Sequence, residues 1–220
     1  MRKIIISVCC LCGIFLTTVS ARALENGDWQ LWNTDSAEVK LDKRWKIKAE
    51  EELRFGKDIS ELYYTHTDGG IHLNVTDELD LGINYRQVYE KKEDEWKEEC
   101  RPHFNATIKL EWEEFKLSDR SRLELRIFED KEDEWRYRNK FSVVFPWKWT
   151  FLEIQPYIAD EVFVDFHGEK LNRNRFYSGI SYKLCKYLKG GIFYMWQISK
   201  RAGNKWTGYN VLGIEAKIVF

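Results

Sequence analysis

The chain has 220 residues, and its 35 lysines and arginines nearly balance 36 aspartates and glutamates, for a formal net charge of -1. Because the basic residues are interleaved with acidic ones, the composition excludes a massed basic surface for nucleic acid. Aromatic residues make up 15% of the chain, ten of them tryptophan, and only three residues are proline. This composition is typical of a sheet protein with belts of aromatic side chains.

The N-terminus predicts a secretory signal peptide at residues 1–23. Arg2 and Lys3 precede an apolar run at 4–19, and Ala21 and Ala23 supply small residues at the cleavage spacing. The apolar run is too short to span a bilayer as a helix, and small residues follow it, so we interpret it as a cleaved signal. The mature chain, residues 24–220, is then long enough for one exported domain.

Alternating apolar and polar residues recur along the mature chain. A period of two describes a strand with one apolar face, and no second stretch is apolar enough for a spanning helix. Between Trp45 and Phe55, the odd positions are mostly apolar and the even positions are charged. The alternation predicts eleven strands, at 29–41, 45–55, 62–75, 79–86, 103–112, 121–127, 135–145, 149–164, 172–184, 188–198 and 208–220.

Two points of the strand assignment stay open. Bacterial single-chain outer-membrane barrels have even strand numbers, so eleven strands imply either a short twelfth strand within 24–33 or an N-terminal segment inside the lumen. If the sixth strand began at Phe115, the carboxylate of Asp119 would face outward, toward lipid. We therefore expect Ser118 and Asp119 to lie in a turn.

The connections are predicted to alternate in length. Short turns at 42–44, 76–78, 146–148 and 185–187 alternate with longer polar loops at 56–61, 91–95, 130–134, 165–171 and 200–207. Short periplasmic turns and long outer loops are typical of outer-membrane barrels. Aromatic residues are expected near both rims, with Trp45, Trp112, Trp149 and Phe220 at one and Tyr89, Trp135, Trp196 and Trp206 at the other.

The last strand ends on an aromatic carboxy-terminus, Phe220, after apolar residues at every second position from Leu212. This ending resembles the C-terminal assembly signal of bacterial outer-membrane barrels. It implies outer-membrane location after signal-peptide cleavage, contact with outer-membrane lipid and lipopolysaccharide, and recognition by the barrel-assembly machinery through Phe220. The fold predicted is therefore all-β, a single antiparallel transmembrane β-barrel of about eleven or twelve strands.

Several stretches of the chain resemble the bacterial proteins grouped as "domain of unknown function 2490". They are WQLWN at 29–33, EEELRF at 50–55, LGINYR at 81–86, RPHFN at 101–105, YRNK at 137–140 and QPYIADE at 155–161. The resemblance covers essentially all of the mature chain. It implies a Gram-negative outer-membrane β-barrel, and it implies no activity and no catalytic residues.

The inward faces of the predicted strands carry many charges. Burying these charges is costly unless they pair or stay hydrated. The side chains predicted to line the lumen are Glu50, Glu52, Arg54, His66, Asp68, Arg86, His103, Arg122, Glu124, Arg126, Arg136, Arg138, Glu153, Tyr157, Glu161 and Arg175.

These charges allow two interpretations of the lumen. Cross-strand pairs of arginine and glutamate could close it, which makes the protein a structural barrel. Alternatively, arginines on one wall and glutamates on others could line a narrow channel for small charged solutes, because charged walls replace part of a solute's hydration.

Two further alternatives remain, although the chain is predicted not to be an enzyme. A membrane-embedded lipid hydrolase needs a serine activated by an oriented histidine, and His66 and Asp68 share a face. A soluble periplasmic lipid-binding barrel also fits the strand pattern. No cofactor or metal is expected, because His66, Asp68 and His72 spread over about 20 Å of one strand.

Overall fold

A computed structural model of the protein describes residues 26–92, 94–167, 170–200 and 205–220, and in these residues it is a closed β-barrel without helices. No described helix is therefore long and apolar enough to cross a bilayer. The strands are β1 Trp29–Lys40, β2 Trp45–Gly56, β3 Glu61–Asn74, β4 Leu79–Lys92, β5 Glu95–Trp112, β6 Phe115–Phe128, β7 Glu134–Val144, β8 Gln155–Asp165, β9 Lys170–Lys183, β10 Leu188–Lys200 and β11 Trp206–Val219. The predicted barrel of about eleven strands is confirmed, and the predicted signal peptide lies outside the described residues.

The barrel closes through a parallel pair of strands. Each strand pairs with its neighbours in sequence order, and β1 pairs with β11 in parallel from Trp29 opposite Asn210 to Glu38 opposite Val219. All other neighbours are antiparallel. An odd number of alternating strands makes the first and last run in the same direction. The fully antiparallel arrangement was therefore wrong at this one pair, and closure needs no twelfth strand.

The turn predicted at Ser118 and Asp119 was wrong. The β5–β6 connection is only 113–114, where Glu113 adopts a positive φ of 54°, and β6 begins at Phe115. Asp119 therefore lies inside β6 on the outer face, where its Oδ1 accepts a hydrogen bond from Asn139 at 2.6 Å. A neighbouring amide thus satisfies a carboxylate that the alternation alone would leave facing outward without a partner.

The predicted alternation of short turns and long loops was also wrong. We call the rim where β1 begins the N-terminal rim and the opposite one the C-terminal rim. The longest connection, 145–154, lies at the C-terminal rim, where only short turns were expected. The other connections have two to five residues at both rims. Loop length therefore does not distinguish the rims, because the strands at 79–92 and 95–112 extend into the segments predicted as loops.

The outer face is largely apolar and carries exposed aromatic residues near both rims. Trp29, Trp135 and Trp206 are between 42% and 47% exposed near the N-terminal rim, and Trp45 and Trp112 are 44% and 64% exposed near the C-terminal rim. Some outward polar groups are hydrogen-bonded across strands, since Glu51, Asp119 and Asp160 accept from Thr65, Asn139 and Asn174. The large exposed side chains of the wall are mostly apolar.

The parallel seam can be tested by cross-linking. In a mature chain with Cys100 and Cys185 replaced by serine, Ser36→Cys with Lys217→Cys is expected to form a disulfide. The two positions are register partners on the same face, and adjacent strands lie within the Cα separation that a disulfide needs, about 4.4–6.8 Å.

The matched control is Ser36→Cys with Ala216→Cys. A one-residue offset places the second thiol on the opposite face, so this pair is expected to stay reduced. Intact mass before and after reduction measures both. A disulfide in the control, or none in the first pair, would contradict the parallel register.

Gly213 allows a test of interior packing. A Cβ added at this β11 position would lie 2.0 Å from Cζ of Phe193, whose side chain is 4% exposed. We expect Gly213→Ala to lower the free energy of unfolding by about 1–3 kcal/mol, because the ring must move within a packed cluster. Urea unfolding of the refolded barrel measures this. Gly69→Ala is the control, since its Cβ meets nothing within 4 Å.

Candidate functional site

The inward faces of β2 to β9 bring the predicted lumen residues together inside the barrel, with one exception. Glu50, Arg54, Arg126 and Tyr157 are half-buried. The buried ones are Glu52, His66, Asp68, Arg86, His103, Arg122, Glu124, Arg136, Arg138, Glu161 and Arg175. Within each strand, these residues are separated by an even number of positions, and side chains at such positions lie on the same face of a strand.

The exception is Glu153, which does not lie on a strand. The strand expected from Trp149 begins only at Gln155, so Glu153 lies in the 145–154 connection at the C-terminal rim. Its carboxylate accepts hydrogen bonds from Lys148 at 3.0 Å and Lys183 at 3.4 Å. These two cations lower the pKa of Glu153, with the Lys148 hydrogen bond as the largest cause.

Some interior charges lie outside the strands that the sequence predicted, among them Glu99 and Arg120. Glu99 is 5% exposed on β5, upstream of the predicted start at His103, and Arg120 lies on β6 just before the predicted start at Ser121. Both follow the same parity as the inward residues after them. Extending the alternation backwards by a few residues would have identified them.

One wall of the interior is apolar, which the charged-lumen prediction missed. Trp32 of β1, Tyr177 of β9, Phe193 and Met195 of β10 and Val211 of β11 form a buried cluster. Met195 and Val211 are fully buried. The interior therefore has an apolar wall on β9, β10, β11 and β1, and the charges concentrate on the opposite side.

Asp68 of β3 contacts polar side chains of the next two strands, β4 and β5. Its Oδ2 accepts from Nε of Arg86 at 2.8 Å and lies 2.8 Å from Nε2 of His103. Its Oδ1 accepts from the amide of Asn84, also at 2.8 Å. The carboxylate is thus held by a charged donor, an imidazole and an amide, which offsets the cost of removing it from water.

The pairing proposed for a hydrolase, His66 with Asp68, is not among the hydrogen bonds. Nε2 of His66 lies 3.0 Å from Glu50 and its Nδ1 lies 3.6 Å from Glu52. Among the described residues, no histidine is hydrogen-bonded to a serine hydroxyl. In the same part of the chain, no three histidine, cysteine or acidic side chains are grouped to hold a metal ion.

Two fully enclosed glutamates organise the β6–β9 side of the lumen. Glu124 is 0% exposed and Glu161 is 1% exposed. Arg138 donates to both, from Nη1 to Glu124 at 2.7 Å and from Nη2 to Glu161 at 2.8 Å. Arg120 and Arg175 also pair with Glu161, at 3.0 and 3.4 Å. A single guanidinium thus bridges two buried carboxylates, and one of these serves three arginines.

Three adjoining cavities run along the interior and decrease in volume. The first, of about 290 Å³, lies toward the C-terminal rim beside Glu38, Lys48 and Lys217. The second, of about 150 Å³, lies at mid-height, and the third, of about 50 Å³, lies toward the N-terminal rim. Arg86 lines all three and Arg54 lines the last two. Because neighbouring cavities share lining side chains, they form one tapering row.

Comparison with known proteins supports the resemblance found in the sequence. Residues 29–208 match a family model described as "Protein of unknown function (DUF2490)". A search of the curated proteins finds no match. The matched residues run from the first residue of β1 into β11, so the family model spans nearly the whole barrel and every cavity-lining strand.

The buried pairs can be tested at Glu124. Glu124→Gln removes the charge that Arg138 and Arg122 contact, at 2.7 and 3.5 Å, and leaves their guanidiniums without this partner. We expect the free energy of unfolding to fall by about 3–5 kcal/mol in urea titrations, as when one member of a buried ion pair is removed.

The matched control is Glu153→Gln, the same replacement at a side chain that is 40% exposed. Since exposed pairs contribute little, its urea midpoint is expected to equal that of the parent. Equal effects of the two substitutions would contradict the buried network.

Proposed function

The chain belongs to the protein family of unknown function DUF2490, and we propose that it is an outer-membrane β-barrel whose lumen conducts small anionic solutes. The proposal has two parts, the location of the barrel and the use of its interior. Each rests on a separate feature of the molecule.

The outer surface supports the membrane location. Closure through β1 and β11 leaves no unpaired strand edge, which a bilayer core requires. Exposed apolar side chains cover the wall, and tryptophans lie near both rims, as in barrels with aromatic girdles. The outward carboxylate of Glu51 accepts from Thr65 and Thr67 at 3.1 and 2.5 Å, which reduces the cost of placing it at mid-height.

The tapering row of cavities is the observation that carries the conduction proposal. It runs from one rim toward the other through the charged half of the interior, beside the apolar wall of Phe193 and Met195. At its narrow end, arginines greatly outnumber acidic side chains. Arginine side chains that line a pore favour anions, because their charge replaces hydration that an anion loses on entry.

A structural barrel with a closed lumen is the second candidate. The narrow cavity of about 50 Å³ favours it, since most of the arginines around this cavity form ion pairs with carboxylates on neighbouring strands. Such pairs hold strands together without leaving a path. The two candidates differ in one measurable property, the passage of ions.

Conductance in planar bilayers tests the proposal. The refolded mature protein is expected to show current steps. In asymmetric potassium chloride, the sign of its reversal potential is expected to indicate that chloride passes more readily than potassium. Arg54→Gln is expected to shift that potential toward zero, because Arg54 lines the middle and narrow cavities.

Arg44→Gln is the control, because Arg44 lies in the exposed 41–44 turn and its loss removes the same charge. The reversal potential of this variant is expected to match the parent. Silence from a heat-modifiable, lipid-inserted barrel would contradict conduction and favour the closed barrel. A refolded chain that stays monomeric without detergent would contradict the membrane location.

A further inference from the structure

A cluster of arginines surrounds the smallest of the three cavities described above, and we propose that it is a binding site for one tetrahedral oxyanion of the phosphate class. Of the eleven side chains that line this cavity, eight are arginine and one, Glu90, is acidic. The inference deepens the proposed function and rests on it, because an anion reaches the cluster through the lumen.

Some carboxylates near the cluster are shared between arginines. Glu99 accepts from Arg101, and also from Arg126 through two hydrogen bonds at 2.7 and 2.9 Å. Glu161 is paired with three arginines. Seven of the eight arginines form an ion pair with a carboxylate, and Arg173 forms none among the described residues. Its charge lies in a confined space, where Coulomb interactions are stronger than in water.

Arg173 is the arginine in the cluster that has no carboxylate within ion-pair distance, 4.0 Å, among the described residues. Its Nε donates to the hydroxyl of Ser199 at 3.2 Å, and its guanidinium carbon lies 5.3 Å from the centroid of Phe163. Arg175 and Arg136 line the same cavity, so Arg173 lies among like charges. A neutral hydroxyl and a ring do not offset this repulsion, whereas a bound anion would.

Two buried donors at the same cavity also have no hydrogen-bond partner among the described residues. They are the hydroxyl of Tyr64, whose residue is 3% exposed, and Nε of Arg138, whose residue is 8% exposed. A buried donor without a partner is costly, so such groups call for a ligand that accepts. An oxyanion offers several acceptor oxygens and suits the planar fork of arginine.

The ring of Phe163 packs against four arginines of the cluster and adds no negative charge. Four guanidinium carbons lie between 4.6 and 5.9 Å from its centroid, and the ring is 1% exposed. Cation–π contacts stabilise each arginine modestly but neutralise no charge.

The volume of the cavity limits the size of the ligand. It is about 50 Å³, and a cavity needs roughly 10–15 Å³ of such space to admit a single water. The space therefore suits a small polyatomic ion. The phosphate group could come from inorganic phosphate or from a small phosphate monoester, and the two sources share the same recognition by guanidinium forks.

Calorimetric titration of the refolded full-length mature barrel in detergent tests the site. Inorganic phosphate is expected to bind saturably at one per barrel in a potassium chloride background. Arg173→Gln is expected to weaken binding at least about tenfold, and Arg173→Lys to weaken it less, because lysine keeps the charge but loses the fork. The exposed Arg44→Gln is expected to bind as the parent does. Heat-modifiable migration on gels confirms that each variant is folded.

A second titration with glycerol phosphate separates the two sources. Equal or tighter binding of the ester assigns the site to phosphate monoesters, and binding of inorganic phosphate alone assigns it to the free ion. No saturable binding of either probe to the folded parent, or equal binding by Arg173→Gln, overturns the inference. Binding does not require ion passage, so phosphate binding without conductance contradicts only the proposed channel, and conductance without phosphate binding contradicts only this site.

Discussion

The parallel pairing of β1 with β11 is the contact on which the rest of the structure depends. Without it, the eleven strands would form an open sheet with two long edges, and its charged face would lie in water. The seam runs along ten register pairs and continues at the C-terminus, where the backbone of Phe220 exchanges hydrogen bonds with Glu38 and Lys40. The residue predicted to carry an assembly signal therefore lies at the end of the seam that closes the barrel.

Closure turns one face of the sheet into an interior, and confinement then decides how its charges are arranged. On an open sheet, Glu124 and Glu161 would stay hydrated, but inside the barrel both are enclosed and held by Arg138. The apolar cluster around Phe193 and Met195 fills the opposite wall. The remaining space is therefore displaced toward the arginine-rich side, where it narrows.

Most of the strands could be predicted from the sequence, because the alternation of side chains with a period of two does not depend on which strands lie next to each other. The predictions failed where contacts with other parts of the chain decide the position of a residue. Asp119 looked unsuitable for an outward strand position until Asn139 of β7 was placed beside it. Glu153 has the right chemistry for the lumen, yet the chain forms no strand between Val144 and Gln155, and Glu153 accepts hydrogen bonds from Lys148 and Lys183 at the rim. Loop lengths failed similarly, because cross-strand pairing extended β4 and β5 beyond the alternating segments.

The sequence by itself determined the all-β class, the approximate number of strands and most of the inward residues, because side-chain alternation is a local property of an extended chain. It did not determine the parallel closure. That pairing joins the first and the last strand, which are about 180 residues apart in the chain, and a local sequence pattern does not report such a distant contact. Nor could it decide which arginine lacks an acidic partner. That depends on which carboxylates several strands bring within hydrogen-bond reach, and only the folded barrel sets those distances.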